Sequence, residues 1–256
     1  MKRNRSRAAM VVMGGIIGTV MVTGWQLTAA PAAVKAPPNS SRGISFDSTT
    51  TMLAHEGRKL TPEQLTAWEK QLPPGAEGIT AATKLLGYYL GRAHRDPETA
   101  RKREKIILWL IDHHPEAGVL ATPYGGLSFL ADAEVKTAVK RKWAEYAARQ
   151  PDNAAIFWNA AGNLSLIDMA AAEKYLQRGA ELEPKNYHWY YKLGGQYTLD
   201  HKYVPALTAW RRAYELNPDV DLVLPYLTQA AFAAGDYTAA RDYARKMLTA
   251  VSSGTG

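Results

Sequence analysis

Three prolines at an almost constant spacing constrain the fold of this chain more than any other feature of its sequence. Pro151, Pro184 and Pro218 stand 33 and 34 residues apart, within the similar phrases AARQPDN, ELEPKN and ELNPDV. No convincing stretch alternates apolar and polar residues as a half-buried strand would. A fixed period of this length is typical of stacked helix pairs, in which each pair buries its apolar face against its neighbours. We therefore predict an all-α protein.

The repeated pattern is most complete over residues 187–220. Small residues stand where two helices would approach closely, large residues stand where neighbouring pairs would meet, and a proline closes the unit. The positions that carry this pattern are Trp189, Tyr190, Leu193, Gly194, Tyr197, Ala206, Trp210, Ala213 and Pro218. The pattern resembles the tetratricopeptide repeat (TPR), a pair of antiparallel helices of about 34 residues.

The resemblance extends beyond this best unit and implies a right-handed α-solenoid of stacked helix pairs. Residues 154–186 and 221–254 resemble further copies, residues 120–153 resemble a weak copy, and residues 80–115 resemble a diverged pair. The predicted segments are a signal peptide or signal anchor (1–34), a flexible linker (35–51), N-terminal helices that include the diverged pair (52–119), a weak repeat (120–153) and three repeats (154–186, 187–220 and 221–254).

The first 34 residues have the features of an export signal. Four Lys and Arg residues lie among the first seven positions, and residues 8–34 carry no charge. A basic start followed by an apolar core is typical of a secretory signal peptide or of an uncleaved signal anchor. We predict an extracytoplasmic protein, periplasmic or secreted. Whether residues 8–30 are removed or stay as an anchor in the inner membrane is left open by the sequence.

The net charge is less informative than it first looks. The formal charge of +7 would suggest a nucleic acid or a membrane surface as a partner. Four of the 31 Lys and Arg lie in the export signal, so 27 remain against 24 Asp and Glu, a net charge of +3. We therefore predict no nucleic-acid partner. Lys102, Arg103 and Lys105 alternate with acids, which predicts a solvated helix face.

Several local signals predict where helices begin. Thr61-Pro62-Glu63-Gln64 combines an N-cap, a proline at the first helical position and a Gln that can complete a capping box. Asp96-Pro97 likewise combines an N-cap and a proline, and it precedes a long segment whose apolar residues have helical spacing. In the repeat register Pro205 and Pro225 fall in the first turn of a helix, where no backbone donor is lost from the ladder.

The resemblance also indicates where a partner would bind. Arrays of this family bind partners along a concave groove lined by the first helix of each repeat. The positions that correspond to this groove include Trp158, Asn159, His188, Tyr191, Lys192, Tyr226, Gln229 and Phe232. Such an aromatic, amide-rich set with one lysine suits an extended peptide or a partner helix. The alternative is that several of these aromatic side chains only pack between helices.

No pattern in the chain indicates an enzyme. The sequence has no Cys, no Gly-rich phosphate loop and no convincing pair of carboxylates, and His113-His114 lack an evident third metal ligand. We predict no catalytic residue, no metal and no cofactor. The predicted function is a non-catalytic scaffold in the cell envelope that binds a protein or a peptide. The alternatives are an assembly or chaperone factor for an envelope complex (secretion, pilus or cytochrome maturation), an accessory domain of an enzyme, or a small-ligand carrier.

The C-terminal end predicts a further contact. Repeat arrays normally end in a polar capping helix, whereas the last repeat here runs on to SSGTG. Its uncapped second helix is therefore predicted to pack on a partner or on a second copy of the chain. Alternatively, Arg241, Arg245 and Lys246 make this face soluble by themselves.

Overall fold

The computed structural model describes residues 48–70, 76–218 and 223–252, and this part of the chain contains eleven α-helices, one 3-10 helix and no strand. The helices are α1 (Ser48–Gly57), α2 (Pro62–Lys70), α3 (Ala76–Leu90), α4 (Pro97–His113), α5 (Ala133–Arg149), α6 (Ala154–Leu164), α7 (Met169–Leu182), α8 (Tyr187–Leu199), α9 (Tyr203–Leu216), α10 (Val223–Ala233) and α11 (Tyr237–Ser252). The 3-10 helix is Gly118–Ala121. The prediction of an all-helical fold is thus confirmed for the described residues.

The predicted export signal lies outside the described residues, as does most of the predicted linker. Among the helices that are described, none is both long enough and apolar enough to cross a membrane. The linker prediction ran to residue 51, whereas α1 already begins at Ser48.

The predicted helix starts are confirmed by their hydrogen bonds. The Thr61 amide donates to Gln64 Oε1 at 2.9 Å and the Gln64 amide donates to Thr61 Oγ1 at 3.3 Å, which is the reciprocal capping box. Asp96 caps α4 by accepting from the amides of Glu98 and Thr99, each at 3.1 Å. Proline in the first turn is tolerated because the first amides of a helix have no intrahelical acceptor.

Three helical hairpins follow one another in the C-terminal part. The pairs α6–α7, α8–α9 and α10–α11 begin at residues 154, 187 and 223, close to the predicted repeat starts. Pro205 and Pro225 each stand at the third residue of their helix, as the repeat register predicts. The connections within the hairpins are only three or four residues long, so the two helices of each pair run antiparallel.

Close approaches between glycine and tryptophan explain the alternation of small and large residues. A Cβ atom on Gly179 of α7 would lie 2.2 Å from ring atoms of Trp189 in the next hairpin. A Cβ atom on Gly194 of α8 would lie 2.5 Å from the Trp210 ring of its own hairpin. Trp189 and Trp210 are 0% and 2% exposed, so each ring fills the space that a missing side chain leaves.

The buried core is divided along the stack. A first cluster joins α3, α4, α5 and α6 around Leu85, Leu110 and Trp143. A second cluster lies around Trp189, and a third around Trp210. Each hairpin therefore buries its apolar side chains mainly against its neighbours, as a repeat array does.

Residues 120–153, predicted as a weak repeat, contain one helix instead of a helix pair. The expected first helix is replaced by a short 3-10 turn and irregular chain, and only α5 follows. Pro115, Pro123 and the pair Gly125-Gly126 account for the loss, because they disfavour a continuous helix. We call residues 114–132 the irregular segment.

The prediction of a solvated basic face on α4 is wrong for one residue. Arg103 is 4% exposed, and its Nη2 donates to the carbonyl oxygens of Tyr124 at 2.8 Å and Gly126 at 2.5 Å. Lys102 and Lys105 are exposed, as predicted. Arg103 is therefore a buried clamp for the irregular segment, and sequence charge alternation could not separate it from its exposed neighbours.

Candidate functional site

The eight predicted groove residues all lie on the first helices α6, α8 and α10, and side-chain contacts connect these helices. The Trp158 ring of α6 meets the Trp189 ring of α8 edge-on at 5.1 Å. The Tyr191 ring of α8 meets the Tyr226 ring of α10 edge-on at 6.1 Å. The structure nevertheless divides the set into a covered end and an open face.

The covered end lies beneath the irregular segment. Asn159, 1% exposed, donates from Nδ2 to the carbonyl oxygens of Pro115 at 2.8 Å and Ala117 at 3.2 Å. A Cβ atom on Gly162 would lie 2.6 Å from Ala121 Cα, so the two backbones touch. Trp158 is 6% exposed. Trp158 and Asn159 therefore pack within the chain, and their contact with a partner stays a prediction.

Lys192 of α8 lies at the boundary of the covered end. Its Nζ is 3.8 Å from the centroid of the Trp158 ring and donates to the carbonyl oxygen of Ala121 at 3.2 Å. Within the described residues no carboxylate pairs with this ammonium group. Burial lowers the pKa of Lys192 to about 7.

His188 lies one turn before Lys192 and is held by rings on two sides. Its ring centroid is 4.0 Å from that of Tyr187 and 6.3 Å from that of Trp158. Burial, followed by the nearby charge of Lys192, lowers the pKa of His188 below its ordinary value. His188 is thus an aromatic packing element at neutral pH.

The open face is formed by Tyr191, Tyr226, Gln229 and Phe232. Tyr226 stacks on the buried Trp210 ring at 4.7 Å with an interplanar angle of 9°, and Tyr191 meets the same indole edge-on at 4.8 Å. Burial and the neighbouring Tyr226 raise the pKa of Tyr191 to about 12, so the Tyr191 phenol keeps its proton at neutral pH. The cluster presents fixed aromatic surface with hydroxyl groups that can donate or accept.

Two further side chains extend the open face along α10. Gln229 and Phe232 follow Tyr226 at intervals of three residues, which puts them on one side of the helix. Tyr226 is 39% exposed, Phe232 is 66% exposed and Gln229 is also exposed. An exposed aromatic patch beside an amide can bind another chain by burying apolar area and pairing its backbone polar groups.

The irregular segment is the structural feature beside the candidate site that sequence analysis missed. Besides Asn159, it is held by Asn163, which is fully buried and donates from Nδ2 to the Gly125 carbonyl at 2.7 Å. Asn163 Oδ1 also accepts from Trp143 Nε1 at 3.2 Å. Two asparagines on an otherwise apolar helix were the available signal, because buried amides require partners from another segment.

Within the described residues, no group of three or more His, Cys, Asp or Glu side chains is placed to hold a metal ion. The chemistry that the open face offers is recognition by stacking, apolar burial and amide hydrogen bonds.

The chain shows similarity to solved structures but not to family models or curated sequences. No family model matches it, and no curated protein matches its sequence. Among solved structures, a crystal structure of the MamA protein is 18% identical, with a TM-score of 0.45, and the match covers 78% of this chain and 91% of that one. A second MamA crystal structure is 16% identical, with a TM-score of 0.44, and the match covers 68% of this chain and 91% of that one.

Proposed function

We propose that this protein is a non-catalytic, TPR-type scaffold that binds a protein or peptide through the open face. The observation that carries the proposal is the aromatic cluster of Tyr191, Trp210 and Tyr226 on consecutive hairpins, continued by the exposed Phe232. A soluble domain seldom leaves large aromatic side chains exposed in one patch unless something covers them.

The composition of the open face favours a partner segment with apolar side chains and free backbone amide groups. Gln229 supplies a donor and an acceptor, and none of the four residues of this face is charged. We therefore expect binding that depends little on salt, in contrast to the strongly screened binding of a charged ligand.

We further propose that the scaffold works in the cell envelope. This part of the proposal rests on the sequence of residues 1–34 alone, where a basic head precedes an uncharged apolar stretch. Retention of that stretch would tether the scaffold to the inner membrane, and its removal would release the scaffold.

Site-specific photo-crosslinking in the native cells tests the proposed face. A photoreactive residue replaces Gln229 on α10 in one strain and Glu215 on α9 in another, since both side chains are exposed but Glu215 belongs to a second helix. We expect a discrete crosslinked protein from position 229 and none from position 215. A discrete adduct from position 215 alone would contradict the assignment of the face.

A further inference from the structure

A cavity of about 630 Å³ opens beside the covered end, between the α3–α4 turn, the irregular segment, α6, α7 and α8. Its wall is mostly aliphatic and includes Leu90, Leu127, Leu130, Leu166, Leu176 and Leu199. The volume falls within the range of roughly 300–1,000 Å³ that small-molecule sites occupy. None of the four residues of the open face lines it, so this cavity is separate from the proposed partner site.

The cavity leaves large apolar side chains uncovered. Phe129 and Leu130 of the irregular segment are 65% and 69% exposed, and Leu166 and Leu199 are 57% and 56% exposed. All four line the same cavity. A ligand with an apolar body would remove this surface from water, which favours binding.

Two cations line the same cavity, and both are held by backbone carbonyls. The Lys192 ammonium has three N–H donors but contacts one protein acceptor, the Ala121 carbonyl, so it retains donors for a ligand. Arg103 clamps the irregular segment through Nη2, while its buried Nε has no hydrogen-bond partner among the described residues. Neither cation forms an ion pair with a described carboxylate.

One acid also lines the cavity. Glu104, which is 8% exposed, follows Arg103 on α4, and burial raises its pKa above the ordinary value. Burial thus opposes ionisation of this carboxyl group. The wall as a whole combines an apolar surface with the Lys192 ammonium group, which has unused donors.

We propose that this cavity binds an aliphatic monocarboxylate of medium chain length, with the carboxylate on the Lys192 ammonium group and the alkyl chain against the exposed leucines and Phe129. A neutral hydrocarbon would leave the ammonium donors unused, and a small inorganic anion would leave the apolar wall exposed to water. Only a ligand with both parts satisfies the two features at once.

Calorimetric titration of the full chain with decanoate, below its micelle concentration and at about pH 6, tests this site, because lysine holds its proton there. We expect saturable binding of one decanoate per chain. Acetate, which has only the head, should give no measurable binding, and 1-decanol, which has only the chain, should bind at least about tenfold more weakly.

Three variants locate the site. Lys192→Met keeps an unbranched apolar stem that is one atom shorter, removes the charge, and should weaken decanoate binding by about tenfold or more. Lys105→Met, an exposed lysine outside the cavity wall, is the matched control and should bind as the parent does. Gly195→Phe should abolish binding, because Gly195 lines the cavity and a Cβ atom there meets nothing within 4 Å. Circular dichroism checks that each variant is folded.

Absence of decanoate binding would overturn the proposal, as would parental affinity in folded Lys192→Met or folded Gly195→Phe. Equal affinity for decanoate and 1-decanol would also overturn it, because the cation would then have no role. Failure here would leave the open face untouched, since crosslinking at position 229 does not depend on this cavity.

Discussion

At the scale of single residues, the stack is held by tryptophan rings that lie in spaces left by glycine. Gly179 against Trp189 and Gly194 against Trp210 are two examples. Gly195, next to Gly194 on the same helix, faces open space instead. Neighbouring glycines in one helix thus have different physical reasons for being small, which makes them matched test sites.

Replacement of these glycines by alanine should have opposite effects. Gly179→Ala puts a methyl group 2.2 Å from the Trp189 ring and should lower the free energy of unfolding by about 1–3 kcal/mol. Gly195→Ala, which meets nothing within 4 Å, should raise it by about 0.5–1 kcal/mol through helix propensity. Urea denaturation of both variants measures this difference, and equal midpoints would contradict the assigned packing.

Lys192 should make stability depend on pH in a definite direction. Its pKa is about 7 in the folded chain against a reference of 10.5, so above pH 7 the unfolded chain binds the extra proton. The free energy of unfolding should therefore rise with pH, by at most about 1.4 kcal/mol per pH unit from this one group. Burial also lowers the pKa of Arg103 to about 10, so the effect of Lys192 on stability is best measured below that pH.

Comparison with Lys192→Met isolates this effect. The other titratable groups near Lys192 are His188, whose pKa lies below the window, and His94, Arg103 and Glu104 on the wall of the adjoining cavity. All four are present in both proteins. Between about pH 7.5 and 9.5 the parent should gain stability relative to the variant. Parallel stability curves for the two proteins would show that Lys192 keeps an ordinary pKa.

At the scale of elements, the irregular segment replaces a helix. It covers one end of the surface formed by the first helices α6, α8 and α10. Arg103 of α4 and two asparagines of α6 hold it through backbone carbonyls. Because it has no long helix of its own, its position depends on these side-chain donors rather than on a hydrogen-bond ladder. Loss of one of these donors should therefore loosen the irregular segment while the helical hairpins stay folded.

Asn163→Leu tests this dependence. The change leaves the Gly125 carbonyl and the Trp143 indole N–H without their partners, which should lower the free energy of unfolding by about 2 kcal/mol or more. Hydrogen exchange should speed up over residues 118–131 and remain at parental rates in α8–α11. Gln229→Leu, which alters an exposed amide, is the control and should leave both regions unchanged. Uniform acceleration along the whole chain would contradict a local role for Asn163.

At the scale of the whole molecule, the helices of the repeat pattern were predictable, and the irregular segment that interrupts the pattern was not. The proline spacing and the caps at Thr61 and Asp96 predicted helices that the structure contains, since these signals act within a few residues. The irregular segment depends on contacts between residues far apart in the chain, such as Asn159 with Pro115, 44 positions apart, which one sequence does not display. The cover that the irregular segment places over Trp158 and Asn159 was therefore not predicted, and the partner contacts of the eight groove residues stay a prediction.

The central claim is that the open face binds a protein partner, and affinity capture from the envelope fraction tests it most directly. The tagged full chain is compared with a Tyr226→Ala/Phe232→Ala variant and with Val204→Ala, an exposed apolar control that is 64% accessible on α9. We predict that one partner is recovered by the parent and the control and is lost, by about tenfold or more, from the double variant, as when interface aromatics are truncated. Equal recovery by all three folded proteins would contradict the claim.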